Sequence, residues 1–331
     1  MDSTARITIT MERPVPEVVV PAPAKAMSAE AAFPPKPASP SMWACACSSP
    51  HAGPRRRFLT ALLAGGVAAA AGVEEASAAD AECKRSVAAG IVPADTVENA
   101  AKQQYVQLLR EAQSKSALAP ADDAQLQRLR YIAARIIPLT PACNERARDW
   151  RWEVQLLRSN SLNAFCMPGG KIAFFSGILS RLKLNDDEVA IIMGHEAGHA
   201  LLEHARERLA KSTGTNVGLR LLAAVFGLGN LGDVAAQYGS QLLSLKFSRD
   251  DESEADALGL LLAARAGYDP RAGVTLWKKM GEANAGKAPP AWLSTHPAGP
   301  DRIREIESRL PRVLPEFQRA GQPDKRFPAA A

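Results

Sequence analysis

The sequence predicts an α+β domain, mainly helical, in which a small β-sheet lies beside a buried helix. Three observations carry that expectation. Helix-start signatures at Asn185 and Ser248 precede the apolar runs Val189 to Leu202 and Ala257 to Leu262. Residues 97–139 repeat apolar side chains at helical spacing, and strand-like segments flank a Pro168-Gly169-Gly170 turn.

Of the 331 residues, the first 78 have a different character. Residues 1–54 are rich in Pro and Ala, ten of the 24 prolines falling before residue 55, and read as a disordered extension or an overextended start, with Met42 as another start. Residues 55–78 read as a signal peptide: Arg55-Arg56-Arg57, the apolar stretch Phe58 to Val73, then Ala76-Ser77-Ala78. The arginines before Phe58-Leu59 resemble a twin-arginine signal. The expectation is an exported, periplasmic-type protein, with an uncleaved membrane anchor as the alternative, although this stretch falls short of the roughly 20 residues of a membrane span. Cys45 and Cys47 lie in the extension, leaving Cys83, Cys143 and Cys166. A Cys83–Cys143 disulfide is the favoured pairing, because Cys166 falls in the strand region.

Residues 79–145 form an expected helical lead-in, in which Leu126, Leu129, Ile132, Ala133, Ile136 and Ile137 mark a core-facing stripe. Residues 146–310 form the main domain, with strands expected over Trp150 to Leu157 and Lys171 to Ser176. Residues 311–331 carry Pro311, Pro315, Pro323 and Pro328 and read as a loose or disordered tail.

The chemistry concentrates on the helix after Asn185. Asn185 can cap it, and Asp186, Asp187 and Glu188 suit the positive end of its dipole. Residues four apart share a helix face roughly 6 Å apart, so His195 and His199 can reach one metal ion, with Glu196 beside a metal-activated water. Such a motif has only three fixed letters, and its surroundings must support it. Leu202 and Ala205 stand where the metzincin pattern needs Gly and His. His204, about 140° around a continuous helix from His199, reads as structural or as support for a ligand. The third ligand is then expected from a carboxylate elsewhere. Glu252 and Asp256, four apart at the start of the second helix, share one face, and a ligand and a supporting carboxylate can come from this pair.

Four segments together resemble metallopeptidase family forty-eight. They are Leu162-Asn163-Ala164-Phe165-Cys166-Met167-Pro168-Gly169-Gly170, the His195 to His199 motif with His204, Ser248-Arg249 through Asp256, and Thr295-His296-Pro297 with Arg302 and Ile303. Their order and spacing match over roughly residues 120–310. The resemblance implies a zincin-like metalloprotease domain of gluzincin type holding one Zn2+ per chain. His195, His199 and Glu252 are then the metal ligands, with Asp256 in support. Glu196 is the expected general base. His296 and Arg302 are candidates to stabilise the oxyanion, and His296 has a second role in some relatives as an extra ligand that restrains activity. The expected substrates are unfolded or misassembled envelope proteins; a chaperone or assembly factor with a structural or self-restrained zinc site is the alternative.

An edge strand in such folds can pair with an extended peptide, and Gly170, Lys171, Ile172, Ala173, Phe174, Phe175 and Ser176 are the candidates. Asn216 to Leu245 is expected to form a helical hairpin covering the cleft as a lid, with peripheral membrane contact a weaker reading. Its longest uncharged stretch, Leu221 to Gly232, is too short to cross a bilayer. The net charge of +5 is too small to argue for nucleic acid, and no phosphate-binding glycine loop is present.

Overall fold

A computed structural model describes residues 83–212, 245–284, 290–296 and 301–330. The expected extension and signal peptide, and the 216–245 segment apart from Leu245, lie outside the described residues. In chain order the main elements are α1 (Ala94–Ser114), α2 (Ala124–Ile136), β1 (Glu153–Leu157), β2 (Ala164–Met167), β3 (Lys171–Phe175), α3 (Ser176–Arg181) and α4 (Asp186–Leu201). They continue with α5 (His204–Ser212), α6 (Arg249–Arg265), α7 (Ala272–Asn284), α8 (Ala291–Thr295) and α9 (Arg302–Arg319). The expected α+β architecture is present among the described residues: helices dominate, and one three-stranded sheet packs beside α4. No helix among the described residues is long and apolar enough to cross a membrane.

The two helices that carry the chemistry start where the sequence places them. Asn185 and Glu188 close a capping box at α4, and Ser248 and Asp251 close another at α6, so each helix begins with its free N–H groups satisfied. α4 is buried along nearly all its length, as expected for a helix without a polar face.

The sheet order is β1-β3-β2, which corrects the expectation for residues 170–176. β3 is the central strand. It runs parallel to β1 (Glu153 opposite Lys171) and antiparallel to β2 (Ala164 opposite Phe174), while Gly170 belongs to the turn and Ser176 opens α3. Both edges of Lys171, Ile172, Ala173, Phe174 and Phe175 are occupied, so no peptide can pair there. The turn explains the order. Gly169 and Gly170 both adopt positive φ, and a Cβ on Gly170 would stand 2.7 Å from the Trp152 ring. The chain therefore passes tight against Trp152, Gly170 accepts from the Glu153 N–H at 3.0 Å, and the strand that leaves the turn is laid along β1. β2 becomes the outermost strand on the side facing α4.

The helical lead-in packs onto the domain, and the expected loose tail begins later than Leu310. α2 belongs to the main core: Leu126, Leu129, Ile132 and Ile136 share one apolar cluster with Val189 and Ile192. The fully buried Arg128 donates to Asp186 at 2.6 Å at the start of α4. The expected Cys83–Cys143 disulfide is present, with Cα atoms 5.1 Å apart, and Cys166 is free and buried. At the other end, residues 311–319 are helical, since α9 runs through Pro311 and Pro315. Each proline removes one backbone donor, but Ile306 and Val313 are buried and Arg265 of α6 bonds Glu316, which holds the helix in place. The last residues return to α4: the Phe327 N–H bonds Asp186 at 2.8 Å and Arg326 bonds Asp187 at 2.7 Å.

Candidate active site

α4 and α6 cross closely because glycine stands on both sides. A Cβ on Gly259 would lie 2.6 Å from the His195 nitrogen, and one on Gly194 would lie 2.7 Å from the Gly259 oxygen. Gly198 faces Ala255 across the same crossing. Missing side chains thus let Glu252 of α6 reach the histidines of α4.

His195, His199, Glu252 and His296 are all buried, and each offers one donor atom within 4.8 Å of the others. His195 Nε2 lies 3.1 Å from His199 Nε2, 3.3 Å from His296 Nδ1 and 3.6 Å from Glu252 Oε2. Glu252 Oε1 lies 3.5 Å from His199 Nε2 and 3.0 Å from His296 Nδ1. Zinc bonds of about 2.0–2.2 Å in tetrahedral geometry require donor separations of about 3.3–3.6 Å. Three of these separations fall in that range and two, at 3.0 and 3.1 Å, are shorter, so the four atoms can gather around one small ion, with His296 beside the three expected ligands.

The charge states of His199 and Glu252 agree with ligation. Burial, then the neighbouring imidazoles, hold His199 well below its ordinary pKa, which leaves a neutral ring able to ligate. Burial opposes ionisation of Glu252, but His296, His195 and Arg302 outweigh it and keep its pKa low. For His296 burial favours the neutral ring, and Glu196 and Glu252 outweigh that, so its pKa is raised.

His195, His199 and Glu252 are braced from behind. Asp256 Oδ1 lies 2.9 Å from His195 Nδ1, which turns Nε2 toward the other donors. Despite burial, Arg302 and His195 hold the Asp256 carboxyl far below its usual value. His199 Nδ1 lies 2.9 Å from His204 Nδ1, whose Nε2 is 3.2 Å from Glu254. The continuous-helix angle for His204 does not apply, because α4 ends at Leu201 and Glu203 adopts φ 60°, which brings the His204 ring back onto His199. Its expected supporting role is what the geometry offers. Phe247 stacks on the His199 ring, with centroids 4.0 Å apart.

Arg302 lies elsewhere than an oxyanion donor would. Its guanidinium is buried, with Nε and Nη2 donating to Asp256 and Nη1 to Glu252 at 2.7–2.8 Å, and it is not among the residues that line the cleft. The sequence could not show this, because the residue's distance from the motif says nothing about the side from which it approaches. His296 does line the cleft, with Glu196, His199, Ala200, Phe247 and the β2 residues Phe165 and Met167. Cys166 lines it too, but burial, then the Glu196 charge, pushes its thiol pKa up, so it is unsuited as a nucleophile.

One partner was missed in the sequence. Trp292 Nε1 donates to Glu196 Oε1 at 2.6 Å. Trp292 stacks on Trp277, whose ring carries Arg302 at 3.7 Å. The available signal was Trp292 placed four residues before His296, one helical turn away.

A buried helix with His195, Glu196 and His199, crossed by a helix that brings a carboxylate and flanked by a small sheet, defines a zincin-like metallopeptidase domain. The chain belongs to peptidase family M48, whose model matches residues 123–310. It is 40% identical over 168 residues to the mitochondrial metalloendopeptidase OMA1 of Schizosaccharomyces pombe, covering 50% of this chain and 48% of that protein. It is 29% identical over 208 residues to the metalloprotease LoiP of Escherichia coli, covering 62% of this chain and 78% of that one. The beta-barrel assembly-enhancing protease of Yersinia pestis is 28% identical over 169 residues, covering 48% of this chain and 35% of that protein. The chain thus spans about half the length of the fission-yeast relative.

Proposed function

We propose that the protein is a zinc-dependent endopeptidase with Glu196 as its general base. The observation that carries this reading is the convergence of His195, His199, Glu252 and His296, whose ligand atoms lie within 4.8 Å of one another, beside the Glu196 carboxylate. Zinc held by His195, His199 and Glu252, with His296 withdrawn, would supply a nucleophilic water near neutral pH. Glu196 takes the proton from that water and delivers one to the departing amine. Asp256 fixes His195, His204 fixes His199, and Arg302 holds Glu252 and Asp256 in place. β2, the edge strand that forms part of the cleft wall, pairs with an extended peptide through its backbone, which accepts many sequences.

His296 is the fourth ligand in this reading and restrains activity until it withdraws. The substrates are unfolded or misassembled envelope proteins, met outside the cytoplasm. Support for that setting comes from the signal-like segment 55–78 and from the printed name of the Yersinia relative, which refers to β-barrel assembly. The closed four-donor site also supports a second reading, a chaperone or assembly factor whose zinc is structural. Zinc content and casein cleavage of the wild type, Glu196→Gln and His296→Ala decide between them. The expected result is equal zinc in the wild type and Glu196→Gln, cleavage lost only in Glu196→Gln, and faster cleavage by His296→Ala. Zinc without cleavage in every form would select the chaperone, and absence of zinc would overturn the metal site.

A further inference from the structure

We propose that Trp292 is a positioning residue for Glu196, its indole N–H setting the orientation of the carboxylate that acts as base. The inference rests on Glu196 being that base. The terminal torsion of a glutamate is broad, so a carboxylate without a partner samples many orientations. Here Trp292 Nε1 donates to Glu196 Oε1 at 2.6 Å, with the tryptophan 1% and the glutamate 3% exposed. A hydrogen bond to an ionised acceptor is short and strong in such a setting. Oε1 is thereby occupied, and the second oxygen is left for proton transfer.

The indole is itself held. Its backbone N–H donates to Leu162 O at 3.0 Å, which ties α8 to the segment leading into β2. Its ring stacks on Trp277 with centroids 5.3 Å apart, and the Arg302 guanidinium lies over that Trp277 ring. Arg302 therefore contacts Glu252 and Asp256 through its N–H groups and the Trp277–Trp292 stack through its face. A buried indole needs an acceptor in any core. The acceptor here is the one side chain the proposed reaction moves protons through, and that separates a positioning role from ordinary core satisfaction.

Trp292→Phe keeps an aromatic ring and removes the donor. The expected result is kcat lower by roughly ten- to a hundredfold, the range for a misplaced reacting group, with KM and zinc content unchanged. A second readout needs neither zinc nor turnover. In the 15N-labelled, metal-free protein the Trp292 indole N–H resonance, identified by its proximity to Trp277, is expected to sit downfield. It should move upfield in Glu196→Gln while the other indole signals stay in place. Wild-type kcat in a folded Trp292→Phe, or a Trp292 signal indifferent to Glu196→Gln, would overturn the proposal. Should Trp292→Phe fail to fold, the resonance alone decides. Full cleavage by zinc-loaded Glu196→Gln would sink the base assignment instead, and the resonance result separates the two failures.

Discussion

Replacing Gly259 by alanine tests whether the glycine crossing builds the site. A Cβ there would lie 2.6 Å from His195 N and 2.9 Å from its Cα, whereas ordinary contact begins at 3.4 Å, so α4 and α6 would have to part by up to about 0.8 Å. Both obstructing atoms are main chain and cannot rotate away. Overpacking of this kind costs about 3 kcal/mol, at the upper end of its usual range, against which alanine gains about 1 kcal/mol over glycine in a helix. The net loss of about 2 kcal/mol corresponds to a fall in Tm of roughly 4–8 °C for a domain of this size. Gly281 of α7 is the control, because a Cβ there meets nothing within 4 Å; alanine at that site should raise Tm by roughly 2–4 °C through propensity alone. Calorimetry with zinc and with chelator adds a second test. Parting the helices also stretches the 3.5 and 3.6 Å separations between Glu252 and the α4 histidines, so the Gly259→Ala deficit should grow when zinc is present. If Gly259→Ala proved as stable as Gly281→Ala, the crossing would not be glycine-limited and the reasoning would fail.

Arg302→Met leaves the buried Asp256 and Glu252 without their shared cation, and should destabilise the metal-free protein by about 3–5 kcal/mol in urea unfolding. Adding Asp256→Asn should cost less than the sum of the two single changes, because the pair acts as a unit; strict additivity would contradict the bracing role. Glu316 has a lowered pKa, owing first to its hydrogen bond with Arg265 and, despite some burial, also to the charges of Arg265 and Arg319. A depressed carboxylate contributes stability above its unfolded pKa of about 4.3 and loses it as pH falls through the folded value. Glu316→Gln should therefore cost about 0.5–1 kcal/mol at pH 7. That gap should close as pH is lowered through the folded pKa, and a pH-independent gap would exclude this linkage.

The parts legible in the sequence are those set by local spacing. The caps at Asn185 and Ser248 fix where α4 and α6 begin, and a helix period of 3.6 residues places His195 and His199 on one face without reference to the rest of the chain. Glu252 and Asp256 share a face for the same reason, and the disulfide partners followed from the burial expected of Cys166. Local rules failed where the chain changes direction. The continuous-helix angle misses how His204 returns to His199, because α4 stops at Leu201, and prolines do not end α9, because packing and an ion pair carry it through.

Sequence alone therefore pointed to His195 and His199 as candidate ligands, Glu196 as candidate base and the helices that present them, because each follows from contacts between residues a few positions apart; the choice of Glu252 over Asp256 came from the family resemblance. Packing over long separations decided the rest. Trp152 pressing on Gly170 made β3 central and left β2 outermost; the mutual approach of Gly194 and Gly259 brought Glu252 to the histidines. Close packing from several directions placed Arg302 against Glu252 and Asp256, His296 beside His195 and Glu252, and Trp292 on Glu196. Those relations depend on which surfaces meet when the chain folds back on itself, and no spacing along the chain encodes that directly.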